Sequence, residues 1–142
     1  MATTYSNIYD KFVTMFTDKN IAQLTQPTQD ILFDGWRNHS ESIHLKDIRK
    51  DLTDRDDILR QFNADLTDEE QWLLAYGMTL AWINWNIRDD EELKASIGDR
   101  DFNITSKANM LKALLSLKES TIYDMQLARQ RYDNYSDIVE VF

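Results

Sequence analysis

The 142-residue chain has no cysteine, one proline, three glycines and two histidines. The absence of cysteine excludes disulfides and thiolate metal sites, and it permits a reducing compartment without requiring one. So few glycines and prolines leave little material for hairpin turns, and we therefore expect long helices with few connections. The chain also lacks a Walker loop, a dinucleotide fingerprint and a G-x-S-x-G nucleophile motif.

Basic residues are scarce relative to acidic ones, with 16 Lys and Arg against 25 Asp and Glu and a formal charge of −9. A surface built to neutralise phosphates carries the opposite sign. The N-terminal segment lacks the basic patch and apolar run of a signal peptide, which predicts synthesis in the cytosol. No apolar run is long and clean enough to span a bilayer, so we expect no membrane contact. The length suits one domain with a sizeable core.

The stretch from Leu66 to Ile87 dominates the sequence. Thr67 and Glu70 stand at capping-box spacing, which predicts that a helix begins there. The apolar positions that follow form two adjacent stripes, and a helix apolar on nearly all sides is a buried one. We therefore predict an all-α bundle around a central helix at about 67–87. Its predicted core positions are Trp72, Leu73, Tyr76, Gly77, Leu80 and Ile83.

Gly77 is unusual inside this helix, because an interior glycine costs about 1 kcal/mol relative to alanine. We expect another helix or a bulky aromatic side chain to pack against its bare backbone. Nothing about the position requires a ligand.

The flanking segments give weaker patterns. Apolar residues at helical spacing predict a first helix over 5–16. Residues 28–33 predict one or two helical turns that end at Gly35, residues 39–50 a weak helix, and residues 51–65 a short helix or an ordered loop. Residues 88–92 are typical of a charged turn. A second long helix is expected over about 106–135, which completes a domain of residues 1–135, and the β-branched residues 136–142 predict an extended C-terminal tail.

The polar residues favour no chemistry. His39 and His44 are five apart, which is wrong for a metal pair on a helix, and we expect polar surface histidines. The acidic run from Asp99 starts like a calcium loop, but Ile104 and Met110 stand where glycine and glutamate are needed. A carboxylate enzyme has no positive support, because the acids lie in hydrophilic runs that do not raise a pKa. We predict a protein without enzymatic activity, cofactor or metal.

The apolar content of the central helix exceeds what the short preceding segments can cover. We infer that another copy or another protein covers part of the aromatic surface. The tail either packs on its own bundle or adds to a neighbour. The candidate interface residues are Tyr135, Ile138, Val139, Val141 and Phe142.

Several short motifs carry a family resemblance, which spans roughly residues 60–120. They are Leu66-Thr67-Asp68-Glu69-Glu70, Gly77-Met78, Trp82, Asp99-Arg100-Asp101-Phe102 and Ser106-Lys107-Ala108-Asn109-Met110-Leu111. In these the chain resembles small structural proteins of tailed bacteriophages identified as head–tail connectors or adaptors. The resemblance implies a helical subunit of a homo-oligomeric ring of twelve, between the portal protein and the stopper or tail proteins. It also implies that terminal segments grip the portal or neighbouring adaptors.

A connector of this kind is made in the host cytoplasm and ends in the neck of the virion, where genomic DNA passes through its channel without sequence-specific contact. An acidic lining would keep the duplex mobile, so we expect acidic side chains to outnumber basic ones on the channel face. The alternative is a small acidic inhibitor that mimics DNA and blocks a nucleic-acid-processing enzyme. In this chain the acidic residues are interspersed with basic ones, eleven against eight in residues 1–66 and fourteen against eight in residues 67–142. Mimicry is therefore the weaker hypothesis.

Overall fold

The computed structural model describes residues 2–15, 26–97 and 101–141, with the side chains of 2–15, 29–87 and 112–134. Four helices lie in these ranges: α1 (Tyr5–Thr14), α2 (Gln26–His44), α3 (Asp68–Ile97) and α4 (Asp101–Val141). They confirm the all-α prediction. Three two-residue strands, β1 (Thr3–Thr4), β2 (Arg55–Asp56) and β3 (Gln61–Phe62), add a small antiparallel sheet in the order β1-β3-β2.

Helix α3 is the centre of the bundle and contacts α1, α2 and α4. Leu73, Leu80 and Ile83 are buried on one stripe, and Leu74 and Met78 are buried on the other. The prediction of a central helix buried on more than one side is therefore confirmed. Trp72 and Tyr76 are only half-buried, because they lie where α3 faces a shallow groove beside α4.

The predicted capping box begins α3. The backbone amide of Thr67 donates to Glu70 Oε1 at 2.8 Å, and the amide of Glu70 donates to Thr67 Oγ1 at 3.2 Å. Glu70 is almost completely buried, and its second oxygen accepts from the Tyr132 hydroxyl at 2.8 Å. The cap therefore also ties the beginning of α3 to α4.

Gly77 lies where α2 crosses α3. A Cβ added at Gly77 would stand 2.7 Å from the Cβ of Ser40 and 3.0 Å from its Cα. The Ser40 hydroxyl donates to the carbonyl of Leu74 at 2.6 Å, which fixes the crossing. The expectation that another helix packs on this backbone is confirmed.

Three predicted boundaries are wrong. The charged segment 88–92 continues α3 to Ile97, because Arg, Asp and Glu do not break a helix. Helix α2 runs through Gly35, an exposed interior position where no atom of the described residues lies within 4 Å of an added Cβ. The C-terminal residues are not an extended tail: α4 continues to Val141, since no glycine or proline interrupts it after Asp101.

Helix α1 supplies a further part of the core. Tyr5, Ile8, Tyr9 and Phe12 are buried at helical spacing, and Phe12 packs edge-on against Phe33 of α2 with ring centroids 5.3 Å apart. The predicted Phe16 lies outside the described residues. The small sheet holds the loop between α2 and α3 against this helix through the register pair Thr3–Phe62.

Helix α4 packs along a narrow seam. Its buried and half-buried positions include a series that alternates by four and three residues, as on one side of a coiled coil: Leu114, Lys118, Thr121, Met125, Ala128 and Tyr132. Leu115, Leu117 and Tyr123 lie off this seam and are exposed. The bundle therefore covers one face of α4 and leaves apolar side chains on another.

Candidate interaction surfaces

The loop between β2 and β3 presents two adjacent aliphatic side chains to solvent. Ile58 is 93% exposed and Leu59 is 64% exposed. The carboxylate of Asp56 accepts from the backbone amides of Ile58 and Leu59 at 2.9 and 3.0 Å, which fixes the turn. Arg60 follows in a left-handed conformation (φ 56°), and its carbonyl accepts from the amide of Tyr5 at 3.0 Å. We call residues 57–59 the hairpin knob.

A network of charged side chains anchors the knob to α1 and α2. The guanidinium of Arg60 binds Asp34 through two hydrogen bonds, of 2.9 and 2.8 Å. Asp34 also accepts from the Tyr9 hydroxyl and lies 3.2 Å from a guanidinium nitrogen of the buried Arg37. Burial would raise the pKa of Asp34, but the hydrogen bonds from Arg60 and Tyr9 outweigh it and hold that pKa below its usual value.

The same network continues on the other side of Arg37. Its Nε donates to Glu41 at 3.0 Å, and Glu41 accepts a second bond from Arg55 of β2. The Arg37 guanidinium stacks on the Tyr5 ring, with the guanidinium carbon Cζ 3.7 Å from the ring centroid. Burial and a hydrogen bond to Asp57 raise the pKa of Tyr5 to about 12, so this hydroxyl stays a donor. The hairpin is therefore rigidly placed by paired charges.

An open cavity of about 540 Å³ lies between α2, α3 and α4. Its described lining is mixed, with four apolar residues beside a lysine, a histidine and an amide: Trp36, His39, Ala81, Asn84, Trp85, Ile87 and Lys118. Trp85 is 49% exposed although its ring packs on Trp36 at a centroid distance of 6.3 Å. We call this the tryptophan cavity. A smaller groove of about 270 Å³, which includes Trp72 and Arg131, lies between α3 and α4.

His44 was predicted to be a surface histidine and is fully buried. It ends α2 against α3, and neither ring nitrogen has a hydrogen-bond partner among the described residues. Its Nδ1 lies 3.6 Å from Asp47, which in turn pairs with Arg129 of α4 at 3.1 Å. Burial lowers the pKa of His44, and the nearby Arg129 lowers it further against the opposing pull of Asp47. The imidazole is therefore held neutral.

This burial predicts a pH-dependent stability. Because the pKa of His44 is lower in the folded state, the unfolded chain binds the extra proton as pH falls below about 6.5, and stability decreases there. The loss is at most about 1.4 kcal/mol per pH unit. His44→Met should flatten the dependence of the unfolding free energy between pH 7.5 and 5, measured by urea titration.

The exposed His39 provides the control for this prediction. His39→Gln should leave the pH dependence of the unfolding free energy as it is in the wild-type protein. The contribution of Asp34 is separate, because its lowered pKa removes stability only as pH falls below about 3.8. An unchanged slope in His44→Met would show that the buried imidazole is not the titrating group.

The predicted C-terminal interface is described only in part. Tyr135, Ile138, Val139 and Val141 belong to the last turns of α4, but their side chains lie outside the described residues, as does Phe142 entirely. Their role stays a prediction. Ile58 and Leu59 were not among the predicted interface residues, although two adjacent aliphatic residues in the most polar segment of the chain are a signal in the sequence.

The acidic cluster from Asp51 to Asp57 stabilises turns. Asp51 accepts from the amide and hydroxyl of Thr53, and Asp54 accepts from the side chain of Asn63.

Among the described residues, no group of three His, Asp or Glu side chains is arranged to hold a metal ion. The described helices also include none that is long and apolar enough to cross a bilayer. The run from Asp99 to Asn103 falls partly outside the described ranges.

No protein-family model, curated protein or solved structure matches the chain.

Proposed function

We propose that the chain is the subunit of a ring-shaped head–tail connector in a tailed bacteriophage, located between the portal and the stopper or tail and lining the DNA exit channel. The proposal starts from the sequence resemblance over residues 60–120. Its main structural support is the hairpin knob, an aliphatic pair held in solvent by an ionic network around the buried Arg37. Single exposed apolar residues are ordinary on a soluble protein, whereas an adjacent, rigidly held pair is typical of an interface.

The length of α4 supports a role for the C-terminal residues. Tyr132 bonds to Glu70 in the first turn of α3, and α4 continues for nine residues beyond Tyr132. At 1.5 Å per residue this is about 13 Å of helix beyond Tyr132. A helix end of this length is suited to contact a portal or a neighbouring subunit.

The charge fits a channel through which DNA moves. With a formal charge of −9, a ring of this chain repels phosphates and leaves the duplex free to slide. A DNA mimic needs free carboxylates on one face. Here Asp34, Glu41 and Glu70 are bound to arginine or tyrosine side chains, so they are not free for mimicry.

Deletion of residues 136–142 tests the proposal in a phage that encodes the chain. Without the gene, filled heads should accumulate with no tails attached. The full chain supplied in trans should restore tailed particles, and the truncated chain should reduce them at least tenfold, because the last turns of α4 are missing. Particles are counted by electron microscopy and infectious titre.

The circular dichroism melt of the truncated chain serves as the control for folding. The described core ends at Tyr132, so the melt should change little. Normal tailed particles in the absence of the gene would contradict the connector function. Normal particles with the truncated chain would contradict only the gripping role of the C-terminal residues.

A further inference from the structure

The hairpin knob and the tryptophan cavity lie on opposite sides of α2. Asp34, Arg37 and Glu41, which anchor the knob, share one face of this helix, whereas Trp36 and His39 line the cavity. At 100° per residue, the mean directions of the two sets differ by about 160°. A knob anchored on one side therefore cannot reach the cavity of its own chain, although it can reach that of another copy.

The two surfaces match in chemistry. The knob offers two aliphatic side chains and the cavity offers Trp85 and Ile87. Its volume of about 540 Å³ is several times that of an engineered cavity that admits benzene, so more than one aliphatic side chain fits. Asp57 of the knob is 69% exposed although it lies 3.6 Å from Arg55 and accepts from Tyr5, and Lys118 lines the cavity, so the two surfaces also carry charges of opposite sign.

We propose that the hairpin knob of one copy inserts into the tryptophan cavity of the next copy. The contact is heterologous, because each chain offers its knob to one neighbour and its cavity to the other, and repetition closes a ring when the rotation allows it. The inference deepens the proposed function, since it names the contact between neighbouring subunits of the ring. The hairpin is already fixed by the Arg60–Asp34 pair, so little conformational freedom is lost on insertion.

The absence of cysteine from the natural chain gives a direct test by site-specific cross-linking. One protein carries Ile58→Cys on the knob, and a second, distinguished by an affinity tag, carries Asn84→Cys at the cavity. Both positions are exposed, so neither substitution disturbs the core. Under mild oxidation, the mixed disulfide should form at least tenfold faster than either homodimer.

The matched control replaces the knob protein by Ile31→Cys, because Ile31 is an exposed isoleucine of α2 outside both surfaces. This control with Asn84→Cys should cross-link only at the rate of random collision. Equal rates for the two pairs would overturn the proposal, even if the chain still formed rings by another contact. A chain that carries both Ile58→Cys and Asn84→Cys should give a ladder of covalent oligomers.

The cross-linking result is independent of the virion role. Fast mixed disulfides in a protein that is dispensable for tail attachment would keep the knob contact and remove the connector function. Slow formation of the mixed disulfide in a protein required for tail attachment would remove the knob contact and keep the connector function.

Discussion

Arg37→Met is expected to destabilise the fold by about 3 to 5 kcal/mol, the usual cost of removing one partner from a buried ion pair. Arg37 is only 3% exposed and Glu41 only 6%. Loss of the guanidinium leaves Glu41 with Arg55 alone and deprives the Tyr9 hydroxyl of its donor. The cost is the desolvation of groups left without a partner, because methionine fills a similar volume. Denaturant titration followed by tryptophan fluorescence measures the change.

An exposed arginine of α4 provides the comparison. Arg131→Met removes the same charge from the surface, where single substitutions usually change stability by less than about 0.5 kcal/mol. If Arg37→Met and Arg131→Met had equal effects, the network would contribute nothing to stability, and the hairpin knob would lose the anchor on which its rigidity depends.

Gly77→Ala is expected to destabilise the protein by about 1 to 3 kcal/mol, the range typical of an overpacked core. The added methyl group would meet the Cβ and Cα of Ser40 at 2.7 and 3.0 Å, and a backbone atom cannot move without shifting α2. This cost outweighs the gain of about 1 kcal/mol that alanine brings to a helix interior. Thermal and denaturant unfolding provide the measurement.

Gly35→Ala is the matched control, since Gly35 is also inside a helix but no described neighbour lies within 4 Å of the new Cβ. It should stabilise the protein by roughly 0.5 to 1 kcal/mol. The two glycine variants are thus expected to change the free energy of unfolding in opposite directions. Adding Ser40→Gly to Gly77→Ala should recover part of the loss, a non-additive result expected of residues in contact. A stabilising Gly77→Ala would mean that the helices do not cross there.

Local rules predicted the features that depend on neighbouring residues in the chain. The capping box at Thr67 and the two apolar stripes located α3 and its burial, because both signals are complete within a few turns. Helix ends were harder, since the charged run 88–92 lacks apolar periodicity yet contains good helix formers. The end of α4 was predicted too early because β-branched residues near the C-terminus weaken a helix without stopping it.

The knob and its anchor could not be predicted from local pattern. The sheet pairs Thr3 with Phe62, which are about 60 residues apart, and the network joins Tyr9, Asp34 and Arg60 from three segments. His44 is buried against α3 and beside Asp47, which the spacing of the two histidines in the sequence could not indicate. Charged residues in a polar loop predict solvent contact, and only the fold shows which of them are paired.

The mass of the full-length chain in solution tests the central claim, that this subunit assembles with its own copies into a ring. Native mass spectrometry should be performed over a range of concentrations, on the chain alone and with the portal protein of a phage that encodes it. We predict one dominant species whose mass is a fixed multiple of 16.8 kDa for the chain alone, or the mass of the portal plus a fixed multiple of 16.8 kDa when the portal is present. A single-chain mass under every condition would contradict the account.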